Sequence, residues 1–247
     1  MASNLPDPEK DPYGYFGLRL NSDGSITRLP EPPGTPASAD PSNPHHLSKD
    51  IPINQSKATW ARIFVDEWLE KYADFSRCFL MGTSAGGTIA YHVGLRAAAG
   101  GDDLMPVQIK GLVLHHAFFG GIQRTDSEVR LAHDKVVPLC VTDLAWQLCL
   151  PVGADRDHEH SNPMVGIKAG HFDAVKTLEW KFLFVGYYGD PLVDRQIELA
   201  KTVEENGLTV VKKFYEGGFH GCDIFDPSRA EVLRTNLQEF IGSAVNS

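Results

Sequence analysis

Three residues of this 247-residue chain have the types that together activate an alcohol: Ser84, Asp190 and His220. A serine hydroxyl is a poor nucleophile until a base takes its proton. Imidazole suits that task, because its ordinary pKa of about 6.5 lies near working pH. A carboxylate then holds the imidazole in one tautomer and stabilises the imidazolium. Ser84 is the centre of Gly82-Thr83-Ser84-Ala85-Gly86, Asp190 sits in Gly189-Asp190-Pro191, and His220 sits in Gly217-Gly218-Phe219-His220-Gly221. Taken singly, each has an ordinary reading: a Gly/Ser turn, a helix N-cap before Pro191, and a loop histidine. Asp194 is a rival acid, one turn inside the helix that Pro191 opens.

The elements around them decide between these readings. Cys78-Phe79-Leu80-Met81 reads as a short buried strand, and a helical pattern runs from Thr88 to Ala99. A strand that enters a helix through so tight a turn holds its central residue under strain. Gly82 and Gly86 leave room for strand and helix to approach. The backbone N–H of Ala85, at the helix start, would point at an oxygen held before Ser84. Further strands are expected at Ile109–Phe119, Lys181–Tyr187 and Leu208–Tyr215, and helices at Pro191–Asn206 and from Asp226-Pro227-Ser228 to Val245. Asp190 and His220 each follow a strand, where open α/β sheets keep their ligands. The alternation of strand and helix from Cys78 onward means a parallel sheet flanked by helices. The order Ser, Asp, His is that of the α/β hydrolases.

Before Cys78 the pattern is looser. Residues 1–14 read as a flexible lead. Tyr15–Leu20 and Ser25–Leu29 form a hairpin about Asn21-Ser22-Asp23-Gly24, and Pro30–Pro44 is extended and irregular. Asp50–Asn54 and Thr59–Val65 read as strands. At Val65 the pattern breaks, and Asp66–Tyr72 looks like a helix tail without a helix start. Residues 120–173, with helices near Asp126–Asp134 and Val141–Leu150, read as a cap over a pocket.

Composition narrows the function. The chain is 42% hydrophobic and 22% charged, as expected of a single globular domain over residues 1–247. Its formal charge is −9 without a basic stripe, which argues against nucleic acid. No stretch is apolar enough to span a membrane, and the start carries no signal core, so a cytoplasmic protein is expected. Cys78, Cys140, Cys149 and Cys222 make no Cys-x-x-Cys pair and read as free thiols. Asp155-Arg156-Asp157-His158-Glu159-His160 has metal-ligand types, yet the favoured reading is a self-paired cap loop, so no metal or other cofactor is expected. His115 and His116 read as pocket wall or core. Phe118, Phe119, Trp146, Tyr187 and Phe219 could line an acyl pocket or serve as core aromatics.

The chain resembles the plant carboxylesterases of the hormone-sensitive-lipase-like α/β-hydrolase group. The matching runs include Asp23-Gly24-Ser25-Ile26-Thr27-Arg28, Asp66-Glu67-Trp68-Leu69, Phe79–Gly87, Gly153–Glu159 and Gly189–Arg195. The resemblance implies the α/β-hydrolase fold with a helical cap, Ser84, Asp190 and His220 as the triad, and hydrolysis of small carboxylic esters. It also implies a His-Gly-Gly-Gly oxyanion loop and a Tyr-Arg-Leu-Ala-Pro-Glu segment, and this sequence has neither. Both would fall between Val65 and Asp66. The chain therefore reads as a member that lacks an internal block, including two central strands. Ala85 N–H remains as the one evident oxyanion donor, and weakened esterase activity is expected. Two alternatives stand beside it: a ligand-binding protein like the gibberellin receptors, which lack the catalytic histidine, and a non-functional fragment.

Overall fold

The computed structural model describes residues 6–29, 48–54, 59–64, 73–100 and 104–245. Its centre is a sheet of four parallel strands in the order β5 (Cys78–Thr83), β6 (Ile109–His115), β7 (Lys181–Tyr187) and β8 (Thr209–Tyr215). The two inner strands, β6 and β7, are buried almost throughout. Near-continuous apolar runs such as Leu112-Val113-Leu114 and Phe182-Leu183-Phe184-Val185 follow, because helices cover both faces. Leu112, Leu114, Phe182 and Phe184 pack with helices α2 (Ala85–Gly100), α6 (Asp173–Thr177) and α7 (Val193–Glu205), through Tyr91, Val175 and Leu199. Val113, Leu183 and Val185 face the other way, onto Phe240 of α9 (Pro227–Val245).

The expected buried strand before Ser84 is only half-buried, with Met81 45% exposed. The reason is topological: β5 is the outer strand, and among the described residues only β6 pairs with it. The strands β3 (Ser48–Asn54) and β4 (Thr59–Phe64) pair antiparallel with each other in a separate sheet. The break expected after Val65, and the segment Asp66–Tyr72, lie outside the described residues.

The amino-terminal hairpin forms as β1 (Leu18–Leu20) and β2 (Ile26–Arg28), but its first strand is shorter than expected. Pro12–Tyr15 instead makes a helical turn, α1, because the Asp11 side chain accepts the Gly14 N–H and Pro12 suits a first helical position. The cap carries α3 (Asp126–Arg130), closed by a Thr125/Glu128 capping box, then α4 (Leu139–Cys149) and α5 (Pro163–Gly166). The last part of the expected cap belongs to the core, since Phe172 and Val175 pack under the sheet. A short helix, α8 (Cys222–Phe225), follows His220.

Candidate active site

Each of the four parallel strands delivers one residue to the same end of the sheet. Ser84 follows β5, His116 follows β6, Asp190 follows β7 and His220 follows β8. The strand–turn–helix at Ser84 is as tight as the sequence implies, and Ser84 takes φ 55. A non-glycine residue in that region is strained, and the neighbourhood must hold it there. Its N–H donates to His115 O at 3.0 Å, and its carbonyl accepts Phe118 N–H at 3.0 Å and Gly87 N–H at 2.9 Å. The glycines divide the work differently from expectation. A Cβ on Gly82 would lie 1.9 Å from Gly86 O, so strand and helix touch there. A Cβ on Gly86 would meet nothing within 4 Å among the described residues, while one on Gly87 would meet Ala117 Cβ at 2.9 Å.

The three predicted side chains come together. His220 Nε2 lies 2.9 Å from Ser84 Oγ, and His220 Nδ1 lies 2.9 Å from Asp190 Oδ2. Asp190 is fully buried and keeps its helix-start role as well, since Oδ1 accepts Leu192 N–H at 2.9 Å. Helix α7 consequently starts at Val193 rather than Pro191. Burial alone would raise the Asp190 carboxyl. Hydrogen bonds from His116 and His220 outweigh that and hold it well below the usual carboxylate range. Asp194 turns elsewhere, its Oδ2 accepting Ser127 N–H at 2.7 Å. The loops of Asp190 and His220 press together: a Cβ on Gly189 would lie 1.9 Å from Gly218 O.

Sequence reasoning missed His116. It is fully buried, and its Nδ1 lies 2.8 Å from the same Asp190 Oδ2 that His220 engages. The sequence places the His-His doublet at a strand end as pocket wall or core, and burial agrees with core; what it does not show is the contact with Asp190 or φ 47 at His116, which turns its ring back beside its neighbour. The expected strand to Phe119 therefore stops four residues early.

A cleft of 560 Å³ opens at Ser84, walled mainly by apolar side chains of α2, α4 and the amino-terminal turn. Phe118 and Trp146 stack in its wall, ring centroids 4.8 Å apart. Phe119 and Tyr187 are core residues instead, and Phe219 is exposed. Ala85 also lines the cleft, and its N–H takes no backbone partner among the described residues. Tyr15 closes one side, its hydroxyl donating to Val136 O at 3.0 Å. A polar cavity of 590 Å³ beside Lys110 and Trp180 lies at the opposite ends of the strands, away from Ser84. The cap loop Asp155–His160 is tied down by its own polar groups. Asp157 accepts Ile122 N–H at 3.0 Å, and Arg156 pairs with Asp143 at 3.0 Å. Below it, Arg195 and Glu128 form a buried pair, Nη2 to Oε2 at 3.0 Å, that joins the cap to α7.

Comparison with known proteins agrees with this architecture. A family described as the alpha/beta hydrolase fold matches residues 49–224. Carboxylesterase 20 of Arabidopsis thaliana is 37% identical over 325 aligned positions, covering 97% of this chain and 99% of that protein. The alignment exceeds the 247 residues here, so an internal part of that relative has no counterpart in this chain. A 3-O-acetylpapaveroxine carboxylesterase of Papaver somniferum is 45% identical over 174 residues, 70% of this chain and 55% of that one. Among solved structures, a fungal esterase of Rhizomucor miehei superposes with TM-score 0.59 at 23% identity, over 72% of this chain and 54% of that chain. The chain spans about half the length of the solved structures it matches. Fold, topology and relatives agree that the chain belongs to the plant carboxylesterases of the α/β-hydrolase fold.

Proposed function

We propose that the chain acts as one domain that hydrolyses small carboxylic esters, with Ser84 as nucleophile, His220 as general base and acid, and Asp190 as the carboxylate that orients His220. The continuous chain Ser84 Oγ, His220 Nε2, His220 Nδ1 and Asp190 Oδ2, with 2.9 Å at each link, carries this reading. His220 Nε2 takes the Ser84 proton as Oγ adds to the acyl carbon. The tetrahedral oxyanion falls to the Ala85 N–H. His220 then gives its proton to the leaving alkoxide, and water repeats the sequence on the acyl-serine. The apolar cleft suits an ester with a hydrocarbon acyl or alcohol group.

Turnover falls below that of a relative with the full oxyanion loop. Loss of one oxyanion donor typically costs about 10²–10³ in kcat, and here the loop's own amides have no counterpart in the sequence. Small-ligand binding without catalysis is the weaker reading, because His220 stands within hydrogen-bond reach of Ser84. A fluorophosphonate probe with peptide mapping tests the proposal. Labelling at Ser84, lost in Ser84→Ala and His220→Gln, is expected. Wild-type labelling no faster than that of Ser84→Ala would refute it.

A further inference from the structure

His115 and His116 are consecutive, yet their rings lie on the same side, centroids 4.4 Å apart. An extended strand would send them to opposite faces. The left-handed backbone at His116 brings them together. Both side chains are fully buried.

Each ring has a partner at Nδ1. His115 Nδ1 lies 3.0 Å from Thr83 Oγ1, and His116 Nδ1 lies 2.8 Å from Asp190 Oδ2. An ionised carboxylate only accepts, so His116 Nδ1 carries a hydrogen and a neutral His116 offers a lone pair at Nε2. Both Nε2 atoms converge on Asp223 Oδ1, at 3.4 Å from His115 and 3.5 Å from His116. All three atoms are buried and none has a hydrogen-bond partner. When His115 Nδ1 donates to Thr83 Oγ1, its Nε2 carries a lone pair as well; the three electron-pair donors then repel, and a cation at their centre removes the repulsion. The second grouping, His116, Asp190 and His220, differs in this respect, because N–H groups already point at its carboxylate.

We propose that His115 Nε2, His116 Nε2 and Asp223 Oδ1 form a binding site for a divalent transition-metal ion of the zinc class, with a fourth position left open. Zinc ligands at about 2.0–2.1 Å in tetrahedral array stand about 3.4 Å from one another; the two nitrogen–oxygen spacings here are 3.4 and 3.5 Å, and all three atoms lie within 4.8 Å of one another. Two imidazoles and a carboxylate suit Zn²⁺, and Co²⁺ substitutes for it. Thr83 and Asp190 supply the outer hydrogen bonds that fix the ligating imidazoles. Through His116 the ion also touches the proposed triad. A metal on Nε2 makes Nδ1–H a stronger donor, which draws Asp190 Oδ2 away from His220. This coupling rests on the triad reading, whereas the metal site itself does not.

The test is titration of the tag-free, chelator-stripped full chain with Co²⁺, read by visible absorption. The expected result is one equivalent bound with the intense spectrum of tetrahedral Co²⁺, displaced by Zn²⁺. Asp223→Asn and His115→Gln should each weaken binding by at least about tenfold. Should His115→Gln fail to fold, Asp223→Asn and the zinc-dependent rise in the wild-type Tm carry the test. Two results overturn the site: no uptake by wild type at equimolar metal, as expected if His115 Nε2 carries a hydrogen toward Asp223, or variants that bind as wild type does. Slower fluorophosphonate labelling of the Zn²⁺-loaded protein is the expected sign of coupling, and an unchanged rate would refute the coupling alone.

Discussion

The two outer glycines of Gly82-Thr83-Ser84-Ala85-Gly86 should respond to alanine in opposite ways. A methyl on Gly82 would lie 1.9 Å from Gly86 O and 2.1 Å from Gly86 C, both backbone atoms that cannot rotate aside. Ordinary carbon–oxygen contact is about 3.3 Å, so the strand and the helix start must part by more than about 1 Å. Overpacking of this kind costs about 1–3 kcal/mol, and a reacting group misplaced by about 1 Å loses about 10²-fold in rate. A methyl on Gly86 meets no described atom within 4 Å and sits in the first turn of α2, where alanine is the better helix former by up to about 1 kcal/mol. Fluorophosphonate labelling rates and thermal unfolding of Gly82→Ala and Gly86→Ala, side by side, measure both effects. Gly82→Ala should lose stability and at least about 10²-fold in labelling, while Gly86→Ala should keep both within a few-fold of wild type. Equal damage from the two substitutions, or tolerance of Gly82→Ala, would show that the close contact at Gly82 does not set the position of Ser84.

Other perturbations address the remaining parts. Asp190→Asn should lower labelling by about 10⁴-fold, because the amide cannot hold His220 in the working tautomer; a loss under tenfold would count against the triad. Arg195→Met breaks the buried pair with Glu128 and should cost about 3–5 kcal/mol in urea unfolding, with much of it regained when Glu128→Leu is added. Trp146→Ala removes the stacked wall of the cleft, so the preference for a butyrate over an acetate ester should fall about tenfold as stability drops. Burial pushes the His92 imidazole below its ordinary value. The unfolded chain therefore binds more protons as pH falls below about 6.5, and stability declines there more steeply in wild type than in His92→Gln. Parallel stability–pH curves for the two proteins would exclude that assignment.

Much of this arrangement was legible in the sequence because it depends on local chemistry. Apolar runs marked β6 and β7, and the position of each candidate residue after a strand placed Ser84, Asp190 and His220 at one end of the sheet. What escaped depends on long-range geometry. Nothing local in Leu114-His115-His116-Ala117 announces a left-handed residue, so a strand through Phe119 is expected, and a reading of His116 as pocket wall or core does not reveal its bond to Asp190. The motif points to missing side chains at Gly82 and Gly86, whereas those that matter are at Gly82, which faces the Gly86 backbone, and at Gly87, since a motif does not say which atoms touch. The half-exposure of β5 could not be read from Cys78-Phe79-Leu80-Met81 either, because apolar composition does not reveal whether a strand is inner or outer. Asp11 and Pro12 held the cues for α1, a cap followed by proline, inside a stretch whose overall polarity suggested a loose lead.

The backbone bond from Phe118 N–H to Ser84 O joins the cleft wall to the turn that bears the nucleophile. Phe118 stacks on Trp146, so an occupant that shifts this pair also pulls on the peptide carbonyl of Ser84. Occupancy should thus be felt at the reacting hydroxyl before any bond is made, with the amide of Phe118 as its gauge. Slower deuterium uptake there would register a well-seated guest, and faster uptake one that forces the wall outward.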